Sequence, residues 1–220
     1  MATALIAGAS GLVGGCLLQE LLAADTYDRV VAVARRPLDV AHPKLVTVTT
    51  EFAALRTLER PLRGDDAFCC LGTTIKKAGS REAFRAVDQG AVLAFAWAAQ
   101  QGGARRFFHV SSMGADASSR FFYTRVKGET DHALGVMGFD TLGIFRPSLL
   151  LGPRTEYRLG ERLSAVGLAL SEPFLIGRWR KFRAIPAEVV ARAMLRASFG
   201  QGARGTLIYP SDEIQDLGRR

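Results

Sequence analysis

The sequence predicts an α/β fold with a doubly wound, mostly parallel sheet and a small C-terminal helical portion. Short apolar runs that are typical of buried strands alternate with longer segments whose apolar residues recur at helical spacing. A glycine-rich turn directly follows the first apolar run. The 220 residues have the length of a single domain, and no linker or internal repeat divides them. Such alternation predicts right-handed β-α-β crossovers and therefore parallel strands.

The N-terminal two thirds of the chain carries the clearest alternation. The first strand is predicted at 3–8, where "TALIAG" is almost wholly apolar, and the first helix at 11–24, where apolar residues share one face. The further elements are strands at 28–37, 44–52 and 65–74, a long helix at 80–103, a strand at 105–112, a helix from about 119 to 137, and a strand with its exit at 140–153.

Beyond Pro153 the alternation weakens. Helices are predicted at 162–172 and 186–198, with Pro186 as the first residue of the second, and a last strand at 205–210. We therefore expect one domain, 1–220, to which 154–220 adds a small region for a lid or for substrate contacts.

Composition limits the functional classes. No apolar run reaches the roughly 18 residues that span a bilayer, and the N-terminus lacks the basic start of a signal peptide, so no membrane partner is expected. Three cysteines, Cys16, Cys69 and Cys70, suggest neither a disulfide framework nor a metal site, and predict a reducing, cytoplasmic location. The net charge of +8 suits nucleic acid, an acidic surface or an anionic ligand. Because the basic residues are spread along the chain, apart from the cluster at 177–183, a nucleic-acid partner is disfavoured.

The turn between the first strand and the first helix predicts a dinucleotide site. Glycines permit positive φ and close approach of the backbone to a ligand, and a helix N-terminus attracts anions. A G-x-x-G-x-x-G series in this β-α context is typical of such a site. The expected binding residues are Gly8, Ser10, Gly11, Leu12, Val13 and Gly14.

The second strand ends in Arg35 and Arg36 and not in an acid. Sites for NAD usually place a carboxylate there to bind the ribose 2′-hydroxyl, whereas guanidinium groups bind a 2′-phosphate. The pair therefore predicts NADP(H). Leu71, Gly72 and Thr73 follow the fourth strand, so they should border the same crevice, since ligands gather at the carboxyl ends of parallel strands.

Ser111 and Ser112 end the fifth strand, and Tyr123 and Lys127 follow on the next helix. A spacing of four places Tyr123 and Lys127 on one helix face, either as ordinary surface residues or as a proton-transfer pair.

This Ser…Tyr-x-x-x-Lys series downstream of the glycine turn resembles the short-chain dehydrogenase/reductase superfamily, whose fold is Rossmann-like. The segments "GASG", "FCCLGTT", "KAG", "SSMGAD", "YTRVKGE", "FRPSLLLG" and "IQDLG" together resemble its atypical group of Tat-interacting-protein-type oxidoreductases. The resemblance covers most of the chain. It departs in two places: Val87-Asp88-Gln89 stands where many members have an asparagine of a proton relay, and the C-terminal portion is short.

The resemblance implies a role for each residue. Tyr123 and Lys127 would both contact the cofactor. Tyr123 would donate a proton to a carbonyl oxygen, Lys127 would favour the phenolate and hold the nicotinamide ribose, and a serine, Ser111 or Ser112, would orient the substrate. The expected activity is NADPH-dependent reduction of a carbonyl or related small molecule. The alternative is a non-catalytic NADP(H)-binding protein that regulates or senses redox state through protein contacts. Association of identical chains stays open.

Overall fold

Seven parallel strands form the central sheet. The computed structural model describes residues 2–58, 61–152, 177–200 and 202–219, and the helix predicted at 162–172 lies outside them. The strands of the sheet are β1 (Ala2–Ala7), β2 (Tyr27–Ala34), β3 (Leu45–Thr49), β4 (Asp66–Cys69), β5 (Arg106–Val110), β6 (Thr141–Arg146) and β9 (Gly205–Pro210). Between β6 and β9, the short strands β7 (Leu150–Leu151) and β8 (Ile185–Pro186) form a separate parallel pair.

The strand order places a crevice at the middle of the sheet. The order is β3-β2-β1-β4-β5-β6-β9, and every neighbouring pair is parallel. The chain therefore builds outward from β1 on one side and then crosses to β4 on the other. Ligands of doubly wound sheets bind at the carboxyl ends of the strands, where the order reverses. In this protein that point lies between β1 and β4, and the predicted α/β fold is confirmed.

The helices differ from the sequence prediction in three places. The α-helices of the described ranges are α1 (Leu12–Ala23), α2 (Ile75–Ala78), α3 (Arg81–Arg85), α4 (Val92–Gln101), α5 (Phe122–Gly135), α6 (Ala187–Ser198) and α7 (Ser211–Arg219). The single helix predicted at 80–103 is interrupted by a π-helical turn, Ala86–Ala91. Pro186 precedes α6 as its N-cap and is not its first residue. Helix α7 has no counterpart in the sequence prediction.

Two hydrophobic cores cover the two faces of the sheet. Ala4 and Ile6 of β1 pack with α1, α6 and α7, while Leu5 and Ala7 pack with α4 on the other face. This alternation follows from the period of two along a strand. Since β1 is buried on both faces, it has no polar side chain after Thr3, which explains its continuous apolar sequence.

A polar network connects neighbouring strands at their amino ends, opposite the crevice. The Arg106 guanidinium donates from Nε to Oδ1 of Asp66 at 2.5 Å and from Nη2 to Oδ2 at 2.6 Å. Asp66 also accepts from the Tyr27 hydroxyl at 2.5 Å, and Nη1 of Arg106 donates to the Ser198 carbonyl oxygen at 2.6 Å. The network joins β2, β4 and β5 to the end of α6.

We predict that Arg106→Leu lowers the free energy of unfolding by about 3 kcal/mol, because it leaves the buried Asp66 carboxylate without its counter-charge. Urea denaturation followed by far-UV circular dichroism measures the change.

The neighbouring Arg105 supplies a matched control. Its ion pair with Asp140 is largely exposed, with side-chain exposures of 75% and 43%. Arg105→Leu should therefore cost no more than about 1 kcal/mol. Equal losses in the two variants would show that the Asp66–Arg106 pair does not fasten the sheet.

Candidate active site

The glycine turn brings the backbone of β1 and α1 into close contact with the end of β4. Gly8 has φ +86°, and a Cβ atom placed on it would lie 2.6 Å from the carbonyl carbon of Cys70. A Cβ atom on Gly14 would lie 2.1 Å from the carbonyl oxygen of Gly8. No side chain fits either position, so these two glycines are required for the turn.

The N-terminus of α1 remains open for an anion. Gly11 is the N-cap and offers no side-chain hydrogen bond, and the first turn of α1 contains no acidic residue. Ser10 and Gly11 are exposed, whereas Val13 and Gly14 are buried, so Val13 would contribute its backbone and not its side chain. Free N–H groups and the helix dipole at an exposed, glycine-lined turn fit a pyrophosphate.

Arg35 and Arg36 lie directly after β2, next to the glycine turn in the strand order. Both side chains are exposed, and neither makes a hydrogen bond or an ion pair within the part of the chain that the structure describes. Their guanidinium groups are therefore not committed to a structural contact, and they suit a ligand phosphate at the edge of the crevice.

The end of β4 continues the floor of the crevice. Leu71 and Thr73 are half-buried and Gly72 is exposed. Cys69 is buried in the core, and burial raises its pKa to about 12. Burial, reinforced by Cys69, also raises the pKa of Cys70. Both thiols stay protonated at neutral pH, so neither acts as a nucleophile.

Helix α5 brings Tyr123 and Lys127 to this floor. A Cβ atom on Gly72 would lie 3.6 Å from Nζ of Lys127, which places the ammonium group against the end of β4. Tyr123, one turn earlier, is 37% exposed and its ring lies 5.5 Å from that of Phe84. The lysine is thus buried beneath the crevice, and the tyrosine reaches solvent beside it.

Lys127 is held by a carboxylate. Its Nζ lies 2.8 Å from Oδ1 of Asp88, and the side chains are 5% and 0% exposed. Burial alone would lower the pKa of Lys127, but the Asp88 carboxylate, with a contribution from Tyr123, raises the net pKa above its usual value. The lysine therefore stays an ammonium at neutral pH.

The two serines have different surroundings. Ser111 is buried beside Asp131, whose carboxylate accepts from Nε and Nη2 of Arg146 at 3.0 and 2.9 Å. Burial raises the pKa of Asp131, and Ser111 and Arg146 oppose that rise. The hydroxyl oxygens of Ser111 and Ser112 are both buried, and neither has a hydrogen-bond partner among the described residues; Ser112 as a residue is half-buried.

Sequence reasoning missed the buried acids under this site. The sequence marks Asp88 only as a departure from the expected asparagine, and no motif singles out Asp131. One signal was available for Asp131, since it continues the four-residue spacing of Tyr123 and Lys127 along the same face of α5. No comparable signal pairs Asp88 with Lys127.

The basic cluster at 177–183 lies apart from these residues along the chain and is partly neutralised. Arg180 donates to Oδ1 of Asp216 on α7 at 2.5 Å. Trp179 and Phe182 pack against each other with ring centroids 5.7 Å apart. Elsewhere, none of the helices in the described ranges is long and apolar enough to cross a bilayer.

Comparison with known proteins agrees with this geometry. The family model described as NAD(P)H-binding matches residues 8–169. Protein HTATIP2 of Rattus norvegicus is 36% identical over 218 residues, which are 97% of this chain and 88% of that protein. Protein fmp52, mitochondrial, of Emericella nidulans is 31% identical over 98% of both chains.

The expected cytoplasmic location is wrong by the same comparison. Several fungal relatives that align with nearly the whole chain carry names that place them in the mitochondrion. The cysteine content that suggested the cytoplasm reports only a reducing environment, which more than one compartment provides.

Solved structures share the fold at low sequence identity. The Bordetella bronchiseptica enzyme WbmH, solved in complex with NAD+, superposes with a TM-score of 0.71 at 18% identity, over all of this chain and 80% of that one. The family match agrees with a nicotinamide dinucleotide as the cofactor class. The chain therefore belongs to the NAD(P)H-binding family, as an atypical short-chain dehydrogenase/reductase related to HTATIP2.

Proposed function

We propose that the protein is an NADPH-dependent oxidoreductase that reduces a carbonyl or related small molecule. The observation that carries the proposal is the position of Lys127 beside Gly72, where a Cβ atom added to the glycine would lie 3.6 Å from the lysine Nζ. It connects the helix that bears Tyr123 to the strand end that borders the dinucleotide crevice, so a proton donor and a cofactor site share one location. A bound nicotinamide supplies hydride chemistry, and the protein supplies position and charge.

In this proposal Tyr123 donates its hydroxyl proton to the carbonyl oxygen of the substrate. Its partial exposure lets a substrate reach it from the solvent side, while Phe84 holds the ring. The Lys127 ammonium below stabilises the negative charge that remains on the tyrosine oxygen, and it binds the ribose next to the nicotinamide.

We assign the substrate-orienting role to Ser112. Its hydroxyl oxygen, like that of Ser111, lacks a partner within the described ranges, but Ser112 is the more exposed of the two residues, whereas Ser111 is buried beside Asp131. Ser111 lies beside the Asp131–Arg146 pair and would help to hold that pair. Residues from 154 onward would contribute the substrate side of the site.

We assign Arg35 and Arg36 to the 2′-phosphate of NADP(H). The two exposed cations follow β2, where an NAD site would carry an acid, and they are not engaged elsewhere in the described chain. Paired, charge-assisted hydrogen bonds from guanidinium groups would favour NADPH over NADH.

We predict that Tyr123→Phe lowers kcat by about 10²–10⁴-fold, because it removes the proton donor, and leaves the Kd for NADPH unchanged. Loss of NADPH absorbance with a panel of aldehydes and ketones measures turnover, and NADPH fluorescence measures binding.

Tyr27→Phe is the matched control. It also removes one tyrosine hydroxyl, but Tyr27 begins β2 at the opposite edge of the sheet, where it donates to Asp66. Turnover by the folded control should match the native protein. Native turnover in Tyr123→Phe would refute the catalytic assignment. Firm NADPH binding without Tyr123-dependent turnover would instead favour a regulator that acts through protein contacts.

Replacing both Arg35 and Arg36 with alanine should raise the Kd for NADPH by about 10–100-fold, since losing the charged contacts to an exposed 2′-phosphate weakens binding by roughly 1.4–2.8 kcal/mol in total, about the value of one hydrogen bond to a charged group. The Kd for NADH should change by less than about threefold, because NADH has no 2′-phosphate. Fluorescence titration with both nucleotides measures the ratio.

Arg63→Ala with Arg204→Ala removes the same charge from exposed positions that precede β4 and β9, away from the crevice. This control should leave both affinities near native, which separates a local contact from the overall charge. Parallel losses for NADPH and NADH in the Arg35/Arg36 variant would rule out recognition of the 2′-phosphate.

A further inference from the structure

Asp88 joins three parts of the site through its carboxylate and its backbone carbonyl. Its Oδ1 lies 2.8 Å from Nζ of Lys127, and its Oδ2 accepts from the backbone N–H of Thr73 at 2.8 Å. The backbone carbonyl of Asp88 accepts from the Thr130 hydroxyl at 3.1 Å. One residue thus connects the end of β4, the lysine of α5, and the next turn of α5.

The backbone around Asp88 explains its position. Residues 86–91 form a π-helical turn between α3 and α4, and Asp88 within it is fully buried. A π-helical turn adds a residue to the helical repeat and costs helix stability, and such turns are frequent at functional sites. Here the turn directs a carboxylate inward, toward α5 and the crevice.

Desolvation argues against a purely stabilising role. A buried ion pair gains little over well-packed apolar residues, because both charges lose water. The second carboxylate oxygen of Asp88 accepts a hydrogen bond from the backbone N–H of Thr73, a residue of the crevice floor. Asp88 therefore links the lysine to the segment that follows β4. The pair makes most sense where a fixed ammonium group is needed.

We propose that Asp88 is a positioning residue that fixes the Lys127 ammonium and the Thr73 backbone in the geometry that binds the nicotinamide ribose. The inference rests on the proposed function, because it takes Lys127 as a cofactor contact. Asp88 itself does not reach the reacting atoms.

Other groups near Lys127 do not replace this role. Asp131 lies one turn further along α5, but its carboxylate is engaged by Arg146. His109, on the β5 side, is fully buried, and burial together with Lys127 lowers its pKa to about 3, so it is neutral. Among the described residues, Asp88 is the acid in direct contact with Lys127.

A double-substitution cycle on NADPH binding tests the proposal. The variants are Asp88→Asn, Lys127→Met and the two combined, each studied as a full-length, folded protein. Asp88→Asn keeps the size of the side chain and an oxygen for Thr73, and removes the charge that holds the ammonium. Each single substitution should raise the Kd for NADPH by about tenfold, and the combination by no more than about threefold beyond Lys127→Met, because Asp88 acts through Lys127.

Asp66→Asn is the matched control for loss of a buried, ion-paired carboxylate. Asp66 is 1% exposed and paired with Arg106 at the opposite edge of the sheet, so this variant should lose stability and keep the native Kd for NADPH.

The outcomes separate the inference from the function on which it rests. If Asp88→Asn binds NADPH with the native Kd, the positioning role of Asp88 is refuted and the function stands. The same holds if the increases in Kd caused by Asp88→Asn and Lys127→Met multiply in the combined variant. If Lys127→Met itself leaves the Kd for NADPH unchanged, Lys127 is not a cofactor contact, and both the proposed role of Lys127 and the inference fail.

Discussion

The close contact between the glycine turn and the end of β4 determines the rest of the site. The backbone of Gly8 lies so near Cys70, and Gly14 so near Gly8, that neither position accepts even one carbon. This contact fixes where the N-terminus of α1 points and where Leu71 to Thr73 leave the sheet. Gly72, three residues after β4, lies beside Lys127, so the segment that the glycine turn packs against is also the one that α5 reaches.

Two ion pairs, each with a buried carboxylate, lie at opposite ends of the strands and have different roles. Asp66 and Arg106 lie at the amino ends of the strands, whereas doubly wound sheets bind their ligands at the carboxyl ends. Lys127 and Asp88 lie at the carboxyl ends, under the crevice. Desolvation opposes both pairs. The first is satisfied by four hydrogen bonds, one of which joins the sheet to the end of α6, whereas the second leaves its ammonium next to an exposed glycine.

The sequence was sufficient for the features that depend on local patterns. Buried strands, the glycine turn and the Tyr123–Lys127 spacing each follow from residues close together in the chain, and the fold was predicted correctly from them. The predicted site residues do gather at the carboxyl ends of β1, β2, β4 and β5. Their roles remain predictions, since position alone does not demonstrate function.

The missed features depend on contacts between distant residues. Helix α7 has few apolar residues, and Gly218 lets it pack closely on Val189 of α6 while Ile214 joins the core. The interruption at Ala86–Ala91 looks like ordinary helix in the sequence, because no proline or glycine pair marks where the π-helical turn begins. The pairing of Asp88 with Lys127 needs both that turn and the packing of α5, so no single segment contains the information.

In the proposed site, the residues that recognise the cofactor phosphate are separate from those that serve the chemistry, so either group can change without the other. Arg35 and Arg36 are exposed, without partners in the described chain, and lie at the end of a strand on the far side of β1 from α5. Replacing them disturbs no packed neighbour, because no buried group depends on their charge. Lys127 and Asp88 are buried and mutually dependent, so neither can change without a compensating change in the other. Cofactor preference can therefore drift within this fold at little structural cost, while the lysine and its carboxylate must be retained or lost together.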